Sequence, residues 1–207
     1  MAKKAKSKKV KTKVKAKTKV PAKTKVKAKA KKVTQKAVKK TTAKKVNKKT
    51  ATPSAKSVSL VGEQLPIFTL ANSKGEHVSL NALEGKNIVL YFYPKDDTPG
   101  CTMEGHEFSA LVPKFAEKNT VVFGVSKDSV ESHNKFICKY DYKVELLSDS
   151  EGALCDYFDV IKEKNMYGKK FMGIERSTFV IDAEGKIAKE FRKVSPPGHA
   201  QFILQQI

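Results

Sequence analysis

Residues 91–104 read Tyr91-Phe92-Tyr93-Pro94-Lys95-Asp96-Asp97-Thr98-Pro99-Gly100-Cys101-Thr102-Met103-Glu104. The first three close a run from Asn87 to Tyr93 that is rich in β-formers and almost wholly apolar. Such a run predicts a strand buried on both faces. Pro94 ends it, and a polar loop follows. Thr98 suits a helix N-cap and Pro99 the first helical position. Phe108, Leu111, Val112 and Phe115 then recur at helical spacing, which predicts a helix over 101–117. Cys101 therefore falls in the first turn of that helix. There the orphan backbone N–H groups and the positive end of the helix dipole meet its sulfur. Both favour the thiolate, the nucleophilic form, so a depressed pKa is expected. A buried structural cysteine could also start a helix. It would not require Thr98 or the polar loop before it.

Outward from this stretch, strand and helix signals alternate. Ile67–Leu70 and His77–Leu80 flank the turn Asn72-Ser73-Lys74-Gly75 and predict a hairpin. Thr120–Val125 is a second buried strand, Ser129–Tyr140 a helix capped by Asp128 or Ser129, and Val144–Leu147 a short strand. Gly152–Phe158 reads as a short helix. Ser177–Ile181 and Lys186–Arg192 are strands around the turn Asp182-Ala183-Glu184-Gly185, and His199–Gln206 is a terminal helix. The pattern predicts an α/β domain with a central mixed sheet flanked by helices.

The chain has 207 residues and a formal net charge of +21, but the excess is confined to one end. Residues 1–56 hold 24 Lys and neither Arg nor acid, which leaves the remainder at a net −3. A uniformly basic nucleic-acid-binding fold is thereby excluded. Lys-Thr-Lys-Val-Lys-Ala-Lys occurs at 11–17 and again at 23–29. With no large apolar side chains to offset ordering entropy, residues 1–57 are expected to form a disordered tail, and residues 58–207 one domain. Lysines on such a tail suit phosphate backbones, so non-specific nucleic acid is the expected partner of residues 1–56. No base readout is expected without Arg forks or aromatic groups. The composition is similar to the tails of linker histones and bacterial histone-like proteins. A purely solubilising tail and anionic lipid binding are the alternatives. No run is apolar enough to span a membrane, and no signal-peptide segment follows the first lysines. Three scattered cysteines do not make a disulfide scaffold, so a reducing cytoplasm is the default location, nucleoid-associated or nuclear if the tail binds DNA.

Pro94, Thr98 and Cys101 reproduce the peroxiredoxin signature Pro-x-x-x-Thr-x-x-Cys, and the longer run resembles the bacterioferritin comigratory protein (peroxiredoxin Q) branch. The resemblance extends over nearly all of 58–207. It takes in Gly124-Val125-Ser126, Ser132-His133, Leu147-Ser148-Asp149, Tyr167-Gly168, the run Gly173–Phe179 and Gly198-His199-Ala200. It implies a thioredoxin-like fold and a thiol-dependent peroxidase acting on hydrogen peroxide and organic hydroperoxides. Cys101 would be the peroxidatic cysteine, passing through a sulfenic acid. Thr98 would hydrogen-bond the peroxide, and Pro94 would shield the pocket. Arg176, one of only two arginines, would stabilise thiolate and polarise peroxide. Glu104 fits the branch pattern and would hold Arg176 or the helix start. The branch also implies a monomer, recycled by thioredoxin or another thiol reductant.

Many members of the branch carry a resolving cysteine five residues after the peroxidatic one, where this chain has His106. A second group carries it where this chain has Ile137, and Cys138 follows by one residue. That shift turns the side chain by about 100°. Cys138 is the candidate resolving cysteine; a one-cysteine enzyme is the rival. Cys155 reads as core packing, and His133 as a packing or capping residue. A thioredoxin-type reductase would need Cys-x-x-Cys, which is absent, and no local pattern pairs a histidine with Cys101 as a hydrolase would. No Cys/His spacing suggests zinc and no Gly-rich phosphate loop is present, so neither metal nor cofactor is expected. The alternative from another class is an architectural nucleic-acid-binding protein with a catalytically idle domain.

Overall fold

The apolar run becomes β3 (Asn87–Phe92), with five of its six residues buried. In the computed structural model, whose described residues are 59–207 without Glu84 and Tyr167, β3 lies inside a seven-stranded sheet. The Lys-rich segment expected to be a tail lies outside the described residues, as does Tyr167. Before β3 come β1 (Thr69–Asn72) and β2 (His77–Ser79), the expected hairpin, and a 3-10 turn at Leu80–Leu83. After it come α1 (Pro99–Glu117), β4 (Thr120–Ser126), α2 (Val130–Tyr140), β5 (Glu145–Ser148) and α3 (Ala153–Tyr157). Then follow β6 (Ile161–Met166), β7 (Lys169–Ile174), β8 (Ser177–Ile181), β9 (Ile187–Phe191) and α4 (His199–Leu204).

The sheet order is β2-β1-β5-β4-β3-β8-β9. β3, β4 and β5 run parallel, and the two edges are antiparallel, so the sheet is mixed as the sequence predicts. Alternation along the strands divides the interior into two layers. Ile88, Leu90 and Phe92 point to one face, where Leu154, Cys155 and Phe158 cover them. Val89, Tyr91 and Tyr93 point to the other, beneath Phe108 and Phe115 of α1, Phe136 of α2 and Ile203 of α4. Cys101 belongs to this second layer.

The β6–β7 hairpin is a separate two-stranded sheet that the sequence reading did not contain. Its signal is weak for a physical reason. Four of the six β7 residues are exposed, and Lys162-Glu163-Lys164-Asn165 offers no apolar face for a period-2 pattern to reveal. α1 begins at Pro99 with Thr98 as its N-cap, as the capping residues predict, two residues ahead of the helix span 101–117 read from the apolar periodicity.

Tight packing over the second layer sets one constraint. A Cβ on Gly124 would lie 2.6 Å from both Leu146 Cδ2 and the Tyr91 ring. Tyr91 in turn stacks on Phe108, with centroids 4.3 Å apart. Gly124→Ala should therefore lower the thermal midpoint by about 3–10 °C, the shift expected for an overpacking cost of ~1–3 kcal/mol in a domain of this size. An unchanged midpoint would show that the interior gives way more easily than its packing implies.

Candidate active site

The loop after β3 delivers Cys101 to the third position of α1. Thr98 is the N-cap with an extended backbone, and Pro99 opens the helix. Thr98 caps by position only: its hydroxyl donates to the Lys95 carbonyl at 3.0 Å, and its side chain makes no capping bond. Cys101 is buried, with 3% of its surface exposed. The first turns of α1 rest on Tyr142, whose hydroxyl donates to the Thr102 carbonyl at 2.8 Å.

Arg176 reaches this turn from the connection between β7 and β8. Its Nη2 donates to Cys101 Sγ at 3.2 Å, and its Nη1 donates to Glu104 Oε2. Glu104 follows Cys101 by three residues, so the helix presents both groups on one side. Its carboxylate is fully buried, and the second oxygen meets His199 Nδ1 at 2.8 Å. The result is an unbroken line from Cys101 through Arg176 and Glu104 to His199. Gly100 leaves room for it: a Cβ there would lie 3.3 Å from Pro196 Cγ and 3.5 Å from Arg176 Nη2. Burial works against the Arg176 charge, but the Glu104 carboxylate and the Cys101 sulfur outweigh it, and the guanidinium pKa is raised.

A second buried network braces the loop from the other side. Asp96 Oδ2 lies 3.0 Å from His133 Nδ1 and accepts from the Ser132 hydroxyl at 2.6 Å, while Oδ1 accepts from the Tyr93 hydroxyl at 2.7 Å. His133 is fully buried, and its Nε2 faces the Leu147 carbonyl at 3.3 Å. Burial opposes the Asp96 charge, but its bonds to His133, Ser132 and Tyr93 outweigh that, and the carboxyl is held below its ordinary value of 3.8. Sequence reasoning missed Asp96. The signal available was His133 at the start of the second helix, read as a packing or capping residue. Next in the chain, Asp97 has a positive φ of 56° and takes Lys139 Nζ at 2.7 Å and the Tyr140 hydroxyl at 2.6 Å.

The structure thus brings Cys101, Arg176 and Glu104 together. It places Thr98 at the same helix start, with its hydroxyl on Lys95. Pro94 is exposed at the beginning of the loop. Cys138 is exposed on α2, its Sγ 3.7 Å from Asn134 Oδ1, while its neighbour Ile137 packs toward the layer that holds Cys101. Cys155 is fully buried in the opposite layer, as expected of a packing residue, and its thiol is pushed up by burial and by Asp149.

The AhpC/TSA family profile matches residues 61–190. Peroxiredoxin Bcp of Xanthomonas campestris is 51% identical over 145 residues, 68% of this chain and 91% of that protein. The chain is a peroxiredoxin. Peroxiredoxin Bcp of Bacillus subtilis is 48% identical over 147 residues, 71% of this chain and 94% of its own. The crystal structure of a Cys-to-Ser variant of Xylella fastidiosa PrxQ superposes with a TM-score of 0.70 at 43% identity, covering 73% of this peroxiredoxin and 96% of the other. Xanthomonas campestris bacterioferritin comigratory protein, described for its alkyl peroxide reduction activity, matches at 49% identity with a TM-score of 0.64, over 67% of this chain and 88% of that one. The peroxiredoxin is therefore a thiol peroxidase of the Bcp branch with a thioredoxin-like fold. Among its described residues no helix is long and apolar enough to cross a membrane.

The Asp96 network carries its own test. A carboxyl whose folded-state pKa lies below its unfolded value stabilises the fold above the unfolded value, and that stability disappears as pH falls through the folded one. Asp96→Asn should cost about 1–3 kcal/mol in urea unfolding at pH 7, the range for a charge-assisted hydrogen bond. The gap from wild type should close as pH is lowered below about 4. A gap that stays constant down to pH 2 would mean that the carboxylate charge contributes nothing.

Proposed function

We propose that Cys101 is the peroxidatic cysteine and that Arg176 holds its sulfur ready for attack. The observation that carries this reading is the 3.2 Å contact between Arg176 Nη2 and Cys101 Sγ in a buried site. A guanidinium there favours negative charge on sulfur and offers a planar fork to an arriving peroxide. Sγ attacks one peroxide oxygen and the O–O bond breaks. The sulfur gives up two electrons and becomes a sulfenic acid, while the other oxygen takes a proton and leaves as water or an alcohol. Hydrogen peroxide and organic hydroperoxides are the substrates; the alkyl peroxide activity of the Xanthomonas relative supports the second class. Thr98 turns its hydroxyl from Lys95 to the peroxide, and Pro94 limits water at the loop. Glu104 keeps Arg176 in place.

Thioredoxin or another thiol reductant completes the cycle. A thiol attacks the Cys101 sulfur, a disulfide forms, and the hydroxyl leaves as water; the two thiols of a dithiol reductant then reduce that disulfide through a mixed disulfide and leave as a disulfide themselves. Cys138 is the proposed source of the first thiol. Its Cα must come within about 7 Å of that of Cys101, which requires the end of α2 to unwind because Cys138 faces outward. The domain 58–207 acts as a monomer. Cys101→Ser should abolish peroxide reduction in a thioredoxin-coupled assay, and one equivalent of hydrogen peroxide should leave a Cys101–Cys138 bridge in a thiol map. A stable sulfenic acid on Cys101 with Cys138 still free would place the enzyme in the one-cysteine class. Full activity in Cys101→Ser would remove the reading altogether.

Residues 1–57 form the second functional part, a cationic tail that tethers the peroxidase to nucleic acid in the cytoplasm, where it would scavenge oxidants locally. The support is compositional: 24 Lys and no acid within 1–56. Duplex DNA affinity should fall with salt at a log–log slope of about −0.9 per phosphate neutralised. It should vanish on deletion of residues 1–56 and survive in Cys101→Ser. Binding that ignores salt, or that persists without the tail, would contradict the tether.

A further inference from the structure

We infer that His199 is a positioning residue for peroxide reduction, fixing the Glu104 carboxylate and through it the stance of Arg176 against Cys101. The inference rests on the peroxidatic reading of Cys101. Glu104 has no exposed surface, so both of its oxygens need partners within the protein. Arg176 supplies one, through Nη1, and His199 supplies the other, through Nδ1. Without the second partner a buried carboxylate oxygen would stand unpaired. The carboxylate would also be free to turn about its own bond, and Arg176 would turn with it.

The ring of His199 is committed to this single task. A carboxylate cannot donate, so the proton between the two groups sits on Nδ1. The other ring nitrogen, Nε2, is buried and has no hydrogen-bond partner among the described residues. A residue present only to fill space would be apolar, because an unpaired ring nitrogen in the interior carries a cost. The ring lies edge-on to Phe108, with centroids 5.6 Å apart, which leaves it little room to rotate.

The chain around His199 is anchored to the same site. Val194 N donates to the Arg176 carbonyl at 3.0 Å, Pro196 borders Gly100, and Gly198 N donates to Glu107 Oε1 at 2.8 Å. At and beyond the end of α4, Lys118 Nζ donates to the Leu204 and Ile207 carbonyls at 3.1 and 2.6 Å. The segment 194–199 therefore touches Arg176, the residue before Cys101, and Glu104 in sequence. His199 is the point at which it meets the buried charges.

Two substitutions separate positioning from packing. In His199→Asn an amide nitrogen can stand where Nδ1 stands. In His199→Gln it stands one bond farther out, toward the place of Nε2, where no acceptor waits. The readout is the second-order rate constant for oxidation of Cys101 by hydrogen peroxide in single turnover, on the full chain, alongside the thermal midpoint. The Gln variant should lose about 100-fold, the cost of misplacing a reacting group by ~1 Å. The Asn variant should stay within about tenfold of wild type, one net hydrogen bond. In an Arg176→Met background, where the residual thiol reaction stays measurable, the same Gln substitution should change the rate by less than about twofold, because the interaction it disturbs is already gone. Should the Gln variant not fold, His199→Leu takes its place. Wild-type rates in both variants would overturn the inference, and so would an equal loss in the Arg176→Met background. Neither result would touch the role of Cys101, which stands or falls with Cys101→Ser.

Discussion

A guanidinium enclosed between a sulfur and a carboxylate sets the terms for the rest of the molecule. Arg176 is 12% exposed at its side chain and Glu104 not at all. Removing such charges from water costs several kcal/mol each, and the arrangement persists only if each charge is paired and each lone pair met. α1 answers part of this by placing Cys101 and Glu104 three residues apart, so that one helix face offers both partners to a single fork. A lysine would offer both partners one compact charge in place of two separate, co-planar donors, so it would fix their relative geometry less closely. The remaining demand, the second carboxylate oxygen, is met from α4, at the far end of the chain.

The sheet makes that geometry repeatable. β3 sends Val89 and Tyr91 into the layer under α1, and Tyr93, the buried residue that follows the strand, joins them just before the loop that leads to Cys101. Tyr91 presses down on Gly124 of β4 and up on Phe108 of α1, so the helix height above the sheet is fixed by a ring thickness. Tyr93 has a second role, because its hydroxyl is taken by Asp96. Burial and that carboxylate together push its pKa well up, which favours the protonated, donating form. The loop is thus tied back to the strand that produced it.

What the sequence makes legible is local. The strand, the proline that ends it, the threonine and proline that open α1, and the cysteine in the first turn lie within the fifteen consecutive residues 87–101, and each follows from the preferences of its neighbours. The two interior layers are likewise readable from alternation and from 3.6-residue spacing. Arg176 is not readable in this way. It is 75 residues from Cys101, and only resemblance to a family singles it out. His199 and Asp96 are harder still. Histidine at a helix start and aspartate in a loop are ordinary choices for capping and solvation, and nothing nearby distinguishes the buried ones. The β6–β7 hairpin escapes for the opposite reason. Its pairing is satisfied by the backbone alone, so its side chains are free to be lysines, and no apolar period is left to find.

The one-residue offset at Cys138 has a structural consequence of the same kind. Ile137 occupies the inward position on α2, and Cys138 is turned to solvent. Any bridge to Cys101 must therefore be made by a partly unwound helix. The ties that hold α2 differ in strength along its length. Near its start, His133 and Ser132 bind Asp96 in a buried network, where loss of a partner is expensive. Near its end, Lys139 and Tyr140 hold Asp97 at the surface, with the Lys139 and Asp97 side chains about half exposed, so that solvent screens the pair and it holds weakly. The helix also closes on Asp141 in the left-handed region, a conformation that non-glycine residues adopt at some cost. Unwinding from the C-terminal end is therefore the cheaper route. It would release Cys138 and break the Lys139 and Tyr140 bonds to the loop that carries Cys101, while the Asp96 network keeps the first turn of α2 and the loop in register.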